Sequence, residues 1–316
     1  MAGSLAIGVD IGGTKVAAGV VDTDGAVLER LRRDTPSTSP MATEQTIVEV
    51  VEELAGRHHV AAVGIGAAGF VDATRSVVRF SPHLAWREEP LREAVGGRVG
   101  LPVVIENDAN AGAWAEYRFG AGRGASALVC VTLGTGIGGG LVLDGQLVRG
   151  GHGMAGEFGH MTVVPDGRRC ECGNRGCWEQ YVSGNALARE ARELAASGSP
   201  VAQALLERAG GDPDAVTGQV VTEAAQAGDP AAVEVLADMG RALGAGLASL
   251  AAALDPDVMV VGGGVSAAGD LLLDPARDVF RRSLTGRGYR PESPIAAAAL
   301  GNEAGFVGAA DLARGG

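Results

Sequence analysis

Three of the four cysteines in this 316-residue chain crowd into "CECGNRGCWE" (170–179), and a histidine, His160, lies ten positions before the first of them. Cys170, Cys172, Cys177 and His160 are four soft or borderline ligands, the complement of a closed tetrahedral structural zinc site. The glycine-bounded "GNRG" between the second and third cysteines can fold the chain back to gather them. Unligated thiols or a redox pair are the alternatives, although Cys170-x-Cys172 lacks the C-x-x-C spacing of thioredoxin-like sites. A metal with no open position does no chemistry. Its task would be to pin a loop that carries Glu157 before the ligands and Glu179 after them. Cys130, inside an apolar run, reads as core.

Other candidates are acids and glycines. In "IENDANA", Asn107 and Asp108 stand where a strand ends and a helix begins. Asp108 there is either an N-cap or, at the carboxyl end of a strand in an α/β sheet, a general base for an attacking hydroxyl. Glu157, Glu179 and Asn107 could ring a sugar, because buried hydroxyls need matched donors and acceptors. Two glycine hairpins, "DIGGTK" (10–15) and "TLGTG" (132–136), could grip phosphates through backbone N–H groups and the hydroxyls of Thr14 and Thr135. Asp10 is then either a Mg²⁺ ligand or a turn-stabilising residue. "GIGAAG" and "GTGIGG" match G-x-G-x-x-G, but no helix follows either, as a dinucleotide fold requires. A Walker A loop is absent.

These residues need elements to hold them. The first 35 residues read as a three-strand meander with an Asp24-Gly25 hairpin turn. A helix over 41–57, the strand "VAAVGIGAAG", a polar stretch, the strand "LPVVIEND" and the helix "ANAGAWAEYRFG" follow. "ALVCVTLGTGIGGGLVLDGQLV" then repeats the opening pattern about 120 residues on. The remainder is mostly helical, with a long helix from Asp229-Pro230 to "LDPD" whose glycines (Gly240, Gly244, Gly246) permit close packing, and "VMVVGGG" gives a last strand and glycine turn. The expectation is a mixed α/β chain with a duplicated β-β-β-α-β-α core.

The net charge of −12 and the lack of a basic tract exclude the phosphate-binding face that a nucleic-acid partner demands. The start "MAGSLAIGVD" has no basic, apolar signal pattern, and no stretch of about 18 consecutive apolar residues occurs, so a cytoplasmic protein without a membrane partner is expected. Clustered thiols in a reducing compartment favour metal binding over disulfides. Lys15 is the only lysine.

In combination, "DIGGTK", "ENDANA", "LGTGIGGGLVLDGQLVRGGHGMAGEFGH", "CECGNRGCWE" and the late "GGG" resemble the ROK family of sugar kinases and repressors, and within it the bacterial ATP-dependent glucokinases. The resemblance implies an actin-like (ribonuclease H-like) fold of two lobes. The first would be residues 1–119 completed by a terminal helix (302–316), and the second residues 120–301 with the zinc loop. It also implies transfer of the γ-phosphoryl of Mg·ATP to the 6-hydroxyl of glucose, in a homodimer or homotetramer. Position by position, the base falls on Asp108 and the sugar contacts on Gly69, Asn107, Glu157, His160 and Glu179. Nucleotide contacts fall on Asp10, Gly12, Gly13, Thr14, Lys15, Thr135, Gly136 and the turn Gly262, Gly263 and Gly264, with no derived role for Lys15. Zinc falls on His160, Cys170, Cys172 and Cys177, so that His160 serves both metal and sugar. The repressors carry an N-terminal helix-turn-helix, for which a phosphate turn at Asp10 leaves no room. Another hexose (fructose, mannose or N-acetylmannosamine), a polyphosphate donor, or a catalytically silent sugar sensor are the alternatives.

Overall fold

The computed structural model describes residues 4–315. Its opening meander is β1 (Leu5–Ile11), β2 (Lys15–Val21) and β3 (Val27–Asp34), antiparallel throughout. Helix α1 (Pro40–Ala55) starts at an N-cap serine, Ser39, whose side chain accepts from Ala42 N–H, with proline in the first turn. Strands β4 (Val60–Ala67) and β8 (Val103–Asn107) then add in parallel, completing the order β3-β2-β1-β4-β8. The register sets Ile11 beside Ala67 and Ala67 beside Asn107, so β1, β4 and β8 end together. Such an edge, at the carboxyl ends of parallel strands, is where α/β sheets place their chemistry.

The polar stretch between β4 and β8 is structured. It holds a small sheet of β5 (Phe70–Val71), β6 (Val78–Phe80) and β7 (Arg87–Glu89), followed by α2 (Leu91–Val99). Strands of two or three residues are too short to show alternation. Helix α2 buries only Leu91 and Val95 and contains two glycines, so it shows no helical stripe in the sequence.

After α3 (Asp108–Phe119), a second sheet of β9 (Ala127–Leu133), β10 (Ile137–Leu143), β11 (Gln146–Leu147), β12 (Val258–Gly262) and β13 (Ile295–Ala297) takes the order β11-β10-β9-β12-β13. This is the first sheet's order again, and it establishes the duplication. Between its halves run α4 (Gly184–Ala196), α5 (Gln203–Arg208), α6 (Gly218–Gln226) and α7 (Pro230–Leu254). Helix α8 (Asp270–Ser283) packs on α7, where Cβ atoms at Gly240 and Gly244 would strike the backbone of Leu272 and Ala276. Among the described residues α7 alone is long and apolar enough to cross a membrane, but its leucines Leu236, Leu243 and Leu247 are buried within the protein.

The chain forms two compact units. The first comprises residues 4–126, Gly140–Gly156 and 299–315; the second comprises Ala127–Gly139 and Glu157–Ala298. Residues 140–156, which the sequence order places in the second lobe, group with the first unit because Gly140 lies against Ala113 and Arg149 reaches Glu106. The first unit is closed by α9 (Ala304–Arg314), laid so tightly on the sheet that a Cβ at Gly8 or Gly64 would fall 1.7–1.8 Å from the carbonyl oxygens of Phe306 and Ala309. On the opposite face of that sheet Ile7, Val9, Ile65 and Ile105 pack with Ile47, Val51 and Leu54 of α1.

Candidate active site

In the first unit the edge shared by β1, β4 and β8 gathers Asp10, Gly69, Asn107 and Asp108. Asn107, not Asp108, caps α3: its Oδ1 accepts from Asn110 N–H at 2.9 Å, and its Nδ2 donates to the Gly69 carbonyl at 3.1 Å. Asp108 is therefore the first helical residue, with Oδ1 2.9 Å from Ala109 N. Burial raises the Asp108 pKa above the usual carboxylate range, opposed by the backbone N–H groups of Ala109 and of Asp108 itself and by the charge of His83. Asp10 is pushed up to about 7 by burial and then by Asp108, against the pull of Lys15. Two neighbouring buried carboxyls, one of them raised further by the other's charge, suit a site for a cation or a transferable proton.

Gly69 sits at φ +138°, and a Cβ there would meet the Phe80 carbonyl oxygen at 2.3 Å, so no other residue fits. In the "DIGGTK" turn Gly12 N–H closes on the Lys15 carbonyl at 3.0 Å, while Thr35 Oγ1 donates to the Gly12 carbonyl at 2.9 Å. Thr14 is exposed and Lys15 half-buried at the start of β2.

The second unit holds the thiol cluster. The ligand atoms of His160, Cys170, Cys172 and Cys177 all lie within 4.8 Å of one another. Cys172 Sγ and Cys177 Sγ are 3.6 Å apart, and Cys170 Sγ is 3.7 Å from His160 Nδ1. A tetrahedral zinc with bonds of about 2.3 Å to sulfur sets its ligands about 3.8 Å apart, so the four residues fit it. His160 turns Nδ1 to the thiols and Nε2 toward Glu157, at 4.0 Å, which leaves the two ring nitrogens for two tasks. Glu179 Oε1 lies 3.0 Å from Cys170 Sγ and 3.6 Å from His160 Nδ1.

Glu179 also joins the zinc loop to the second glycine hairpin. A Cβ at Gly136 would fall 2.6 Å from Glu179 Oε2. The start of α4, reached five residues after Glu179, donates from Gly184 N–H to the Gly134 carbonyl at 2.7 Å and from Asn185 N–H to the Thr135 carbonyl at 3.4 Å. In the late turn Gly263 has φ +85° and passes over the Leu133 backbone; Gly262 ends β12 and Gly264 opens a 3-10 turn.

A ROK family model matches residues 6–315. A glucokinase of Streptomyces coelicolor is 52% identical over 310 residues, covering 98% of each chain. The crystal structure of a ROK family glucokinase from Streptomyces griseus in complex with glucose and AMPPNP superposes with a TM-score of 0.91 at 53% identity, covering 99% of this chain and all of that one. The chain belongs to the ROK family. A ROK hexokinase from Thermus thermophilus is also similar, at 37% identity and a TM-score of 0.81, with 98% of each chain covered. The duplicated α/β architecture is thus the actin-like fold of the ROK sugar kinases.

Two supports of this ROK site escape the motif reading. Glu106 is buried; its Oε1 accepts from Asn107 N–H and Asn110 Nδ2 at 3.0 and 3.2 Å, and its Oε2 faces Arg149 Nε at 2.8 Å and Arg75 Nε at 3.2 Å. Arg149 also donates to the carbonyls of Ala73 and Asp72. A glutamate inside the apolar run "VVIE" is the signal, since a buried carboxylate requires such partners. Trp178, between Cys177 and Glu179, is buried with Nε1 donating to the Ala242 carbonyl at 3.2 Å, and its ring occupies the space that a Cβ at Gly246 would take. The zinc loop is thereby bolted to α7.

Proposed function

We propose that this protein transfers the γ-phosphoryl group of ATP to the 6-hydroxyl of glucose, releasing glucose 6-phosphate and ADP. The observation that carries the proposal is likeness along the whole chain to glucokinases, one of which has been crystallised with glucose and an ATP analogue. Asp108 takes the proton of the hydroxyl as its oxygen attacks the γ-phosphorus. Gly69, Asn107, Glu157, His160 and Glu179 hold the sugar hydroxyls. Asp10 receives the Mg²⁺ of Mg·ATP, and the turns at Gly12 to Lys15, Thr135-Gly136 and Gly262 to Gly264 hold the nucleotide. Because Gly12 N–H is already bonded within its turn, the amides after it are the ones offered to phosphate. Zinc on His160, Cys170, Cys172 and Cys177 supplies rigidity and takes no part in the chemistry.

The two compact units act as the two lobes of the kinase, and the protein works in the cytoplasm as a homodimer or homotetramer, without nucleic-acid or membrane partners. The strongly acidic charge supports the absence of nucleic acid. A coupled ADP-release assay with Mg·ATP and a panel of glucose, mannose, fructose and N-acetylmannosamine tests the reading; kcat/KM greatest for glucose is expected, and no turnover of any hexose refutes it. Light scattering on a sizing column tests the assembly.

A further inference from the structure

Between β6 and β7 the chain makes a short finger, Ser81 to Trp86, whose root is fixed from several sides. Ser81, Leu84 and Trp86 are buried. The Arg87 guanidinium reaches three carbonyl oxygens of the finger, those of Ser81, Leu84 and Trp86, at 2.8, 3.2 and 2.6 Å, and lies 4.2 Å from the centre of the Phe80 ring. Ala85 N–H donates to the Ser37 carbonyl at 2.9 Å. A planar guanidinium clipped to several acceptors holds a loop in one shape. At the tip Pro82 and His83 are exposed.

That tip is aimed at the phosphate turn. A Cβ at Gly13 would lie 2.9 Å from His83 Cβ and 3.7 Å from its Cγ, so Gly13 lacks a side chain because His83 stands over it. The base of the finger abuts Gly69 through Phe80, and Gly69 is bonded to Asn107, the cap of the helix that begins with Asp108. The charged groups that act on Asp10 and Asp108 here are the two carboxylates themselves, Lys15 and His83. Of these charged groups, only Lys15 and His83 can add side-chain donors for a phosphoryl group beyond the turn's backbone amides.

We propose that His83 is a catalytic residue, its imidazole N–H donating to the phosphoryl oxygens as the group leaves the nucleotide and reaches the hydroxyl at Asp108. The inference rests on the kinase reading above. In the step the bond from γ-phosphorus to the β–γ bridging oxygen breaks and the bond to the sugar oxygen forms. Asp108 takes the hydroxyl proton, ADP leaves, and His83 keeps its own proton.

Steady-state kinetics with glucose and Mg·ATP on the full chain and on the His83→Ala and His83→Gln variants, with calorimetric glucose affinity, tests this. His83→Ala should lower kcat by about 10²-fold, the usual effect of removing one transition-state donor, with glucose affinity unchanged. His83→Gln, which keeps an N–H donor, should recover much of the loss. Active wild type with a His83→Ala variant within twofold in kcat overturns the inference and leaves the kinase reading standing, whereas inactive wild type overturns both. A variant altered only in KM for glucose places the imidazole on the sugar and also overturns it.

Discussion

Asp108 is free for chemistry because Asn107 takes the capping role beside it. With the carboxylate released from that structural duty, replacing it should leave the helix start intact. Asp108→Asn is expected to reduce kcat by about 10²–10⁴-fold, the range for a lost general base, while calorimetry finds glucose affinity little changed; near-normal turnover would remove Asp108 from the mechanism. Asp10 gives a pH prediction. Its carboxyl, raised to about 7, is neutral below that value and charged above it. Only the charged form attracts Mg²⁺, so kcat/KM for Mg·ATP should rise with pH through the neutral region and flatten above it. Asp10→Asn should lower the whole profile and abolish that limb; an unchanged profile would show that Asp10 does not meet the nucleotide's metal.

At the level of elements, the thiol loop reaches Glu179, Trp178 and the start of α4 within a few residues, so a metal held there would bear on sugar binding as well as stability under the proposed function. Cys172→Ser should lower zinc content, melting temperature and glucose affinity together, affinity falling about 10–100-fold as when a supporting shell is lost. A zinc-free, folded sample with undiminished glucose affinity would separate the loop from the sugar. A quieter pair links α1 to β7: Glu89 shares a hydrogen bond with Glu44, and partial burial together with that neighbour lifts its pKa from 4.5 to about 7. The folded chain therefore binds more protons than the unfolded chain between those values, and the pair's stabilisation, full below pH 4.5, disappears as pH rises through 7. Because both carboxyls remain partly open to water, solvent screening holds the effect to under about 1 kcal/mol. Glu89→Gln should raise the melting temperature at pH 8 by about 1–3 °C and leave it nearly unchanged at pH 5; equal shifts at both would rule out the titration. Long elements such as α1 and α7 were legible from periodicity and caps, and the thiol site from ligand spacing. The sheet β5-β6-β7 and the finger it carries were not, because their strands are two or three residues long and the geometry is held by Arg87 bonding to carbonyls, which no residue pattern displays.

Over the whole molecule, the duplication was visible in the recurrence of strand, glycine turn and strand, and the matched strand orders of the two sheets bear it out. The family resemblance already returned the last helix to the first lobe; what sequence order hid is that 140–156 also groups with the first unit, since this is a long-range packing choice. A net charge of −12 and a pI near 4.9 predict a solubility minimum near pH 5 and a modest rise in melting temperature with added salt as self-repulsion is screened. Turbidity and thermal melts across pH and salt would check both, and a melting temperature falling steadily with salt would contradict the second. The seating of α9 on Gly8 and Gly64 also bears on how the molecule is made. The first strand leaves the ribosome nearly three hundred codons before its covering helix, a delay of about 15–60 s at 5–20 residues per second. Until then the part of that face around Gly8 and Gly64 stays bare, and the nascent chain offers apolar surface to a chaperone there.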